Sequence, residues 1–369
     1  MDDEIICIGC GAVLQSDDPK KAGYLPAAAL KKAEAGETDN VYCQRCFRLR
    51  HYNEIMPVDL NNDDFLALLN SLATKKALVV NVVDLFDFSN SLLASLKRFV
   101  GDNEFILVGN KFDLFPLNSR QSRIKDWMRQ EANRMGLYPS KIFLISAARQ
   151  KNLDELIEYL DQASQDRDIY FVGMTNVGKS TLINAIIDKM GDIKDVITTS
   201  RFPGTTLDRI EIPLENGHHL IDTPGIMSTN QLATRLNAAD LEVVSPKKPI
   251  KPATFQLLPG NTIFLGGLGR IDYLKGQSTS FTVYAARGVK LHRTKTANAD
   301  DFYQKHVGEL LTPPTGENYL PALKGQEYHT DYKSDLLFGG VGFVTVPKDC
   351  VVKTYTPDKI GLGIRRALI

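Results

Sequence analysis

The chain has 369 residues, of which 43% are hydrophobic, and its 44 basic and 44 acidic residues leave no formal net charge. This length and composition predict two or three domains with hydrophobic cores. No apolar run is long enough to cross a bilayer and the acidic start is unlike a signal peptide, so we expect a cytoplasmic protein without a membrane partner. Residues 228–369 carry 18 Lys or Arg against 12 Asp or Glu, an excess that favours a polyanionic partner.

Four of the five cysteines form two C-x₂-C pairs, Cys7 with Cys10 and Cys43 with Cys46. In a cytoplasmic chain such pairs favour a metal site over disulfides, and four thiolates complete a tetrahedral Zn²⁺ site. We therefore predict a Cys₄ zinc-finger domain over residues 1–56. The zinc either holds this segment together or presents it for recognition. The following segment, 47–52, alternates cations with aromatics, which suits contacts to nucleic acid or docking on the next domain.

The middle of the chain alternates apolar strand patterns with amphipathic helix patterns, the first helix falling over 62–72. Continuous apolar runs predict strands that are buried on both faces. These strands are predicted over 77–84, 105–110, 141–146 and 169–172, followed by further strands at 210–214 and from Leu220. The alternation predicts a parallel sheet with helices on both faces.

A phosphate-binding loop is the most specific pattern in the chain. Residues 173–180 fit G-x-x-x-x-G-K-[ST] between the strand 169–172 and a helix pattern over 181–190. Two glycines let successive N–H groups point at a phosphate, Lys179 would neutralise the β- and γ-phosphates, and Ser180 would place its hydroxyl on Mg²⁺. The predicted phosphate-binding residues are Gly173, Met174, Thr175, Asn176, Val177, Gly178, Lys179, Ser180 and Thr181.

Two further motifs predict that the base is guanine. Asn110, Lys111 and Asp113 match N-K-x-D at the end of a buried strand, where open parallel sheets bind ligands. The Asp113 carboxylate can accept from N1–H and the exocyclic amine of guanine, whereas adenine would leave it unpaired. Lys111 would lay its aliphatic stem over the base. The triplet Ser146, Ala147 and Ala148 ends the next strand and resembles the S-A-K loop that supports the guanine from its other side.

The remaining motifs predict a γ-phosphate switch. A threonine in the loop 201–208 can complete Mg²⁺ coordination when a γ-phosphate is present; Thr206 is the first choice and Thr205 the alternative. Residues 222–225 match D-x-x-G, in which Asp222 would hold Mg²⁺ through water and the Gly225 N–H would contact the γ-phosphate. The predicted catalytic residues are Lys179, Thr206, Asp222 and Gly225.

The last third of the chain predicts a small, largely antiparallel β-domain over residues 228–369. Within it, a helix pattern over 229–240 and a basic, proline-rich connector at 245–252 precede the strands. Its strands are predicted over 262–265, 270–274, 280–285, 289–293 and 342–346. Mixed aromatic and basic side chains favour RNA there, with a protein or peptide as the alternative: Tyr273, Lys275, Tyr284, Arg287, Lys290, His292, Arg293 and Lys295. Cys350 is predicted to be a buried structural thiol.

The motifs occur in an unusual order, since the base-reading motifs precede the phosphate loop and the D-x-x-G motif. This order resembles the circularly permuted GTPases that assist ribosome assembly, and the cysteine pairs, the segment 83–88 and the long C-terminal domain resemble the YqeH family. The resemblance implies a circularly permuted Ras-like P-loop GTPase domain over 57–227. It implies hydrolysis of GTP to GDP in biogenesis of the small (30S) ribosomal subunit, with its rRNA or proteins as partners and no DNA.

Hydrolysis is expected to be slow. Ile226 follows the D-x-x-G motif where small GTPases carry a glutamine that orients water. Related GTPases use an asparagine at the place of Asn176 to hold K⁺, so K⁺ is expected to raise the rate; simple loop capping is the alternative. The competing function is a nucleotide-gated binding module for a protein or peptide with little turnover.

Overall fold

The computed structural model divides the chain into two compact units, residues 1–112 with 121–227 and residues 113–120 with 228–369. Among the described residues, no helix is long and apolar enough to cross a membrane. The structure describes residues 5–7, 12–19, 21, 23–35, 41–44, 46–48, 72–116, 119–190, 210–214, 216–223, 225, 232, 235–316, 322–358 and 360–368. Apart from Leu72, the predicted helix over 62–72 lies outside these residues.

A six-stranded sheet in the order β3-β2-β1-β4-β6-β5 forms the centre of the first unit. Its strands are β1 (Ala77–Asp84), β2 (Glu104–Asn110), β3 (Ile142–Leu144), β4 (Asp168–Val172), β5 (Ile210–Pro213) and β6 (His219–Asp222). All neighbours pair in parallel except β5, which is antiparallel to β6. The parallel sheet predicted from the alternating strands over 77–172 is confirmed. Strand β5 is the exception, because a tight turn in which the Leu214 N–H donates to the His218 carbonyl joins it directly to β6.

Helix α1 (Ala27–Glu34) precedes the sheet, and further helices follow its parallel strands. These are α2 (Phe88–Ser91), α3 (Leu96–Val100), α4 (Gln121–Arg134), α5 (Asp154–Ser164) and α6 (Lys179–Met190). Each of the longer ones buries one apolar stripe; in α5, for example, Leu156, Leu160 and Ala163 are buried. The chain's only tryptophan, Trp127, is 5% exposed in α4 and packs on Phe88 with ring centroids 4.8 Å apart.

A carboxylate network lies at the start of β2, the opposite end from the motifs. Glu104 accepts hydrogen bonds from Tyr159, from Ser140 at 2.7 Å and from Arg167 at 2.7 Å. Burial raises the pKa of Glu104, but these hydrogen bonds and the charge of Arg167 outweigh it and hold the pKa below its ordinary value. The network ties the start of β2 to α5 and β4.

The second unit contains two five-stranded sheets, ordered β16-β13-β14-β10-β7 and β11-β8-β9-β15-β12, whose neighbouring strands are all antiparallel. Residues of both sheets share one hydrophobic core. The elements are α7 (Ala238–Val244), β7 (Ala253–Leu257), β8 (Asn261–Leu265), β9 (Gly269–Lys275), β10 (Thr279–Ala285), β11 (Leu291–Lys295), α8 (Ala299–His306), β12 (Leu323–Thr330), β13 (Ser334–Phe338), β14 (Gly342–Val346), β15 (Cys350–Pro357) and β16 (Leu362–Arg366).

Several local predictions for this unit need correction. Of the helix predicted over 229–240, residues 229–231, 233 and 234 lie outside the described residues. Within the described part, α7 begins after Asn237, because the Asn237 side chain accepts from the Asp240 N–H at 2.7 Å and caps the helix there. The strand predicted over 289–293 lies two residues later. Helix α8 and strands β7, β12, β13, β15 and β16 were not predicted.

Only some of the side chains predicted to contact RNA lie on the surface of this unit. Tyr273 and Tyr284 are 0% and 7% exposed, so their proposed role in RNA stacking is wrong. The cations predicted beside them are exposed: Lys275, Arg287, Lys290, Arg293 and Lys295. The prediction for Cys350 is confirmed, since this free thiol is 4% exposed.

Candidate nucleotide-binding site and metal centre

The predicted phosphate-binding loop joins β4 to α6, and two of its glycines have no room for a side chain. A Cβ on Gly173 would lie 2.6 Å from the Val82 carbonyl oxygen, and a Cβ on Gly178 would lie 2.4 Å from the Asn110 Nδ2. Gly178 also has a φ of +86°, which favours glycine. Met174 and Val177 are buried beneath the loop, whereas Asn176 and Thr181 are exposed. The loop is thus packed closely against the backbone of β1 and against the Asn110 side chain at the end of β2.

The predicted phosphate and magnesium groups meet at the start of α6. The Lys179 ammonium, 7% exposed, contacts the Asp222 carboxylate and the Thr223 carbonyl. The Ser180 hydroxyl lies 3.4 Å from the other Asp222 oxygen. A hydroxyl and a carboxylate so close together are hard oxygen ligands of the kind Mg²⁺ takes, and the lysine beside them suits a phosphate.

Gly225 lies against the phosphate loop. A Cβ at this position would be 3.0 Å from Thr175 Cγ2 and 3.1 Å from Thr175 Cα, so only glycine brings its backbone this near without a shift of the loop. This placement suits the predicted contact of the Gly225 N–H with a γ-phosphate. The switch threonines Thr205 and Thr206 and the water-site residue Ile226 lie outside the described residues.

Asn110 joins the base-reading motif to the phosphate loop. Its Nδ2 donates to the Val177 carbonyl at 2.9 Å, and its Oδ1 accepts from the N–H groups of Lys111 at 2.8 Å and Ala147 at 3.0 Å. The side chain is 2% exposed. Sequence reasoning placed Asn110 among the nucleotide-binding residues but missed that it connects three loops.

Lys111 is held above the same loop. Its φ of +66° is unusual for a residue with a side chain. Its ammonium donates to the Asn176 carbonyl at 2.7 Å and to the Asp84 carboxylate at 2.6 Å. The N-K-x-D pattern predicted the lysine, but no sequence signal predicted Asp84 as its partner.

The other predicted base-contacting residues are placed as follows. Asp113 lies in a 3₁₀ turn, Phe112–Leu114, and begins the segment 113–120 that belongs to the second unit. Within that unit the Leu114 carbonyl accepts from the Ile250 N–H at 2.9 Å. The Ser146 hydroxyl is buried and accepts from the Arg149 N–H at 3.2 Å, while Ala148 is exposed.

A cysteine cluster forms the candidate metal centre near the start of the chain. The sulfur atoms of Cys7, Cys43 and Cys46 all lie within 4.8 Å of one another. The Cys43 N–H donates to the Cys7 sulfur at 3.1 Å, a contact that stabilises thiolate charge. Cys10, the predicted fourth ligand, lies outside the described residues. Three clustered thiolates fit a zinc ion, and a fourth would complete a tetrahedron.

The class of protein follows from the sheet order, the phosphate loop and the base motif: the chain is a circularly permuted P-loop GTPase. It is a GTP hydrolase, and its domain type implies that it binds GTP, GDP and Mg²⁺. Two family models match, "50S ribosome-binding GTPase" over residues 168–254 and "YqeH-like, C-terminal" over residues 278–368.

The chain is 46% identical to the YqeH protein of Bacillus subtilis (strain 168) over the full length of both. It is 31% identical to NO-associated protein 1, chloroplastic/mitochondrial, of Arabidopsis thaliana, over 92% of this chain and 69% of that protein. It is 27% identical to human nitric oxide-associated protein 1, over 98% of this chain and 74% of that protein. The chain belongs to the YqeH family, which confirms the resemblance drawn from its motifs.

Proposed function

We propose that this GTPase is a nucleotide-switched factor in the assembly of the small (30S) ribosomal subunit. The observation that carries the switch is the meeting of Gly225 with Thr175 of the phosphate loop, three residues before the second unit begins at 228. The assembly role rests on membership of the YqeH family. The GTPase family model that matches is described as binding the 50S ribosome, so the experiment below compares both subunits.

The proposed binding mode gives each side chain one task. Asp113 reads guanine, and Lys111 covers the base. Lys179 leaves Asp222 and neutralises the β- and γ-phosphates as they enter. Ser180 and Asp222, with Thr206, would hold Mg²⁺, which supplies further neutralisation of the charge that develops on the phosphates.

The proposed switch acts through the chain that follows Gly225. The Gly225 N–H donates to a γ-phosphate when GTP is bound and loses this acceptor after hydrolysis. GTP and GDP therefore hold the segment after Gly225 differently. We propose that this difference reorients the second unit. Small-angle scattering of the GTP-analogue and GDP states tests it, and identical profiles would count against the switch.

Slow turnover and activation by K⁺ are part of the proposal. The Asn176 carbonyl accepts from Lys111, while the exposed Asn176 side chain projects from the loop and can face a phosphate. Its φ of +64° also fits the capping alternative, because asparagine tolerates this geometry. Rates of hydrolysis that are equal in K⁺ and Na⁺ would remove the potassium role.

We further propose that the second unit contacts RNA through its exposed cations, Lys275, Arg287, Lys290, Arg293 and Lys295. Such contacts position a protein on phosphates and weaken as salt rises. The Cys₄ zinc site is proposed to be completed by Cys10. The cytoplasmic location stays a prediction.

The first experiment is co-sedimentation with purified 30S and 50S subunits, with the protein loaded with a non-hydrolysable GTP analogue or with GDP. Binding to 30S that requires the analogue is expected. The Ser180→Ala variant, which lacks the proposed magnesium hydroxyl, should lose this difference. Binding to 50S alone would overturn the choice of subunit, and binding to neither would favour the alternative of a gated module for another protein.

A further inference from the structure

The end of β1 takes no part in the proposed chemistry, yet it carries a carboxylate beside the base-reading motif. Asp84 is the last residue of β1 and lies opposite Asn110, the last residue of β2. Its Oδ2 accepts from the Lys111 ammonium at 2.6 Å, and its side chain is 15% exposed. This contact holds the ammonium of Lys111 at the end of β1.

Asp84 is itself held by its own loop. The Phe86 N–H donates to Asp84 Oδ1 at 2.9 Å, which leaves Oδ2 for Lys111. The buried Ser91 hydroxyl accepts from the Asp84 N–H at 3.0 Å and lies 3.2 Å from the Asp84 carbonyl. With its backbone and one oxygen fixed, the carboxylate has a single orientation toward the ammonium.

Lys111 is correspondingly fixed at both ends. Its N–H donates to the Asn110 side chain at 2.8 Å, and its ammonium lies between Asp84 and the Asn176 carbonyl. Ordering a lysine side chain costs rotamer entropy. When that ordering is complete before a ligand arrives, the ligand binds more tightly because it does not have to impose it.

The charge of Asp84 has a second effect. A mobile ammonium next to the phosphate loop would be attracted to a polyphosphate and drawn away from the base. We propose that Asp84 is a positioning residue for guanine-nucleotide binding: it holds the Lys111 ammonium against the Asn176 carbonyl, so that the stem of Lys111 is already extended where the base binds. This inference rests on the proposed role of Lys111.

The test measures GDP and GTP affinity of the full chain by competition with a fluorescent guanine nucleotide, together with the single-turnover rate at saturating GTP. Loss of a charge-assisted hydrogen bond in Asp84→Ala should weaken both nucleotides by about 10- to 100-fold. Asp84→Asn should lose less, because its amide oxygen still accepts from Lys111. The single-turnover rate should stay within about twofold, since the γ-phosphate chemistry is unchanged. The matched control is Asp87→Asn in the same loop, whose carboxylate accepts from Asn90, and it should bind as the wild type does.

A double-mutant cycle separates positioning from a structural role. Lys111→Met keeps the stem and removes the ammonium, so Asp84→Ala should cause no further loss in that background. Losses that multiply independently would overturn the inference, as would wild-type affinity in Asp84→Ala. If the Asp84→Ala variant does not fold, the double-mutant cycle is measured with Asp84→Asn instead. A wild-type protein without preference for guanine over adenine nucleotides would instead refute the proposed function itself.

Discussion

Replacing Gly178 by alanine tests whether the phosphate loop and the base-reading motif depend on one close contact. The new Cβ would lie 2.4 Å from the Asn110 Nδ2, so the Asn110 amide must move. Moving it breaks its hydrogen bonds to Val177, Lys111 and Ala147. The matched control is Gly217→Ala, because Gly217 has a similar φ of +81° but no atom within 4 Å of an added Cβ.

The two variants should differ in the free energy of unfolding. Forcing alanine into the left-handed region costs about 1–2 kcal/mol, and this is the whole cost expected for Gly217→Ala. Gly178→Ala carries the same cost and also loses the three hydrogen bonds of the Asn110 side chain, at about 1 kcal/mol each. We therefore expect a loss of about 4–5 kcal/mol for Gly178→Ala.

Urea unfolding followed by Trp127 fluorescence measures this difference, because the chain's one tryptophan is buried in the first unit and reports on that unit alone. In an Asn110→Ala background the added Cβ meets no amide, so Gly178→Ala should then cost no more than Gly217→Ala. Equal losses for the two glycine variants in the wild-type background would refute the reasoning.

Three further predictions concern other parts of the chain. The purified protein should contain one zinc per chain by elemental analysis, and Cys46→Ser should release it, because the cluster would lose one thiolate. Gly225→Ala should weaken GTP more than GDP in a competition assay, since its Cβ would crowd Thr175 where the γ-phosphate is proposed to bind. Glu104→Gln should destabilise the first unit near neutral pH. Because the pKa of Glu104 is lowered in the folded state, the contribution of the carboxylate to stability is full above the ordinary pKa of 4.5 and is lost as pH falls through the folded pKa. Urea titrations of the variant and the wild type should therefore converge in acid.

The central strands and the motifs of the first unit could be predicted from the sequence, for a physical reason. Strands such as β1 are buried on both faces, so they are continuous apolar runs, and each motif follows directly from the end of one. The contacts of Asn110 could not be predicted. Its partners Ala147 and Val177 are 37 and 67 residues away and reach it only through the order of strands in the sheet.

In the second unit, the hydrophobic pattern of the sequence does not predict every strand or which side chains are buried. Strand β12 is largely exposed and has few apolar residues, so its pairing with β15, and not its own sequence, makes it a strand. Tyr273 was assigned to the wrong environment because it was grouped with the basic side chains that follow it, whereas Ile271 and Tyr273, two residues apart, share one face of β9. In the structure this tyrosine lies in the shared core, where its hydroxyl donates to the Gln277 carbonyl at 2.6 Å.

The order of strands in the first sheet has a consequence for how the GTPase is made. Strands β1 to β3 form one half of the sheet and β4 to β6 the other, so each half is one continuous stretch of chain. During synthesis the half that carries the base motif emerges first, with β1 as an open edge. The phosphate loop arrives with β4, and only the closing of this seam brings Gly178 to Asn110. We therefore expect a nascent chain to bind GTP only after the second half of the sheet has docked on the first.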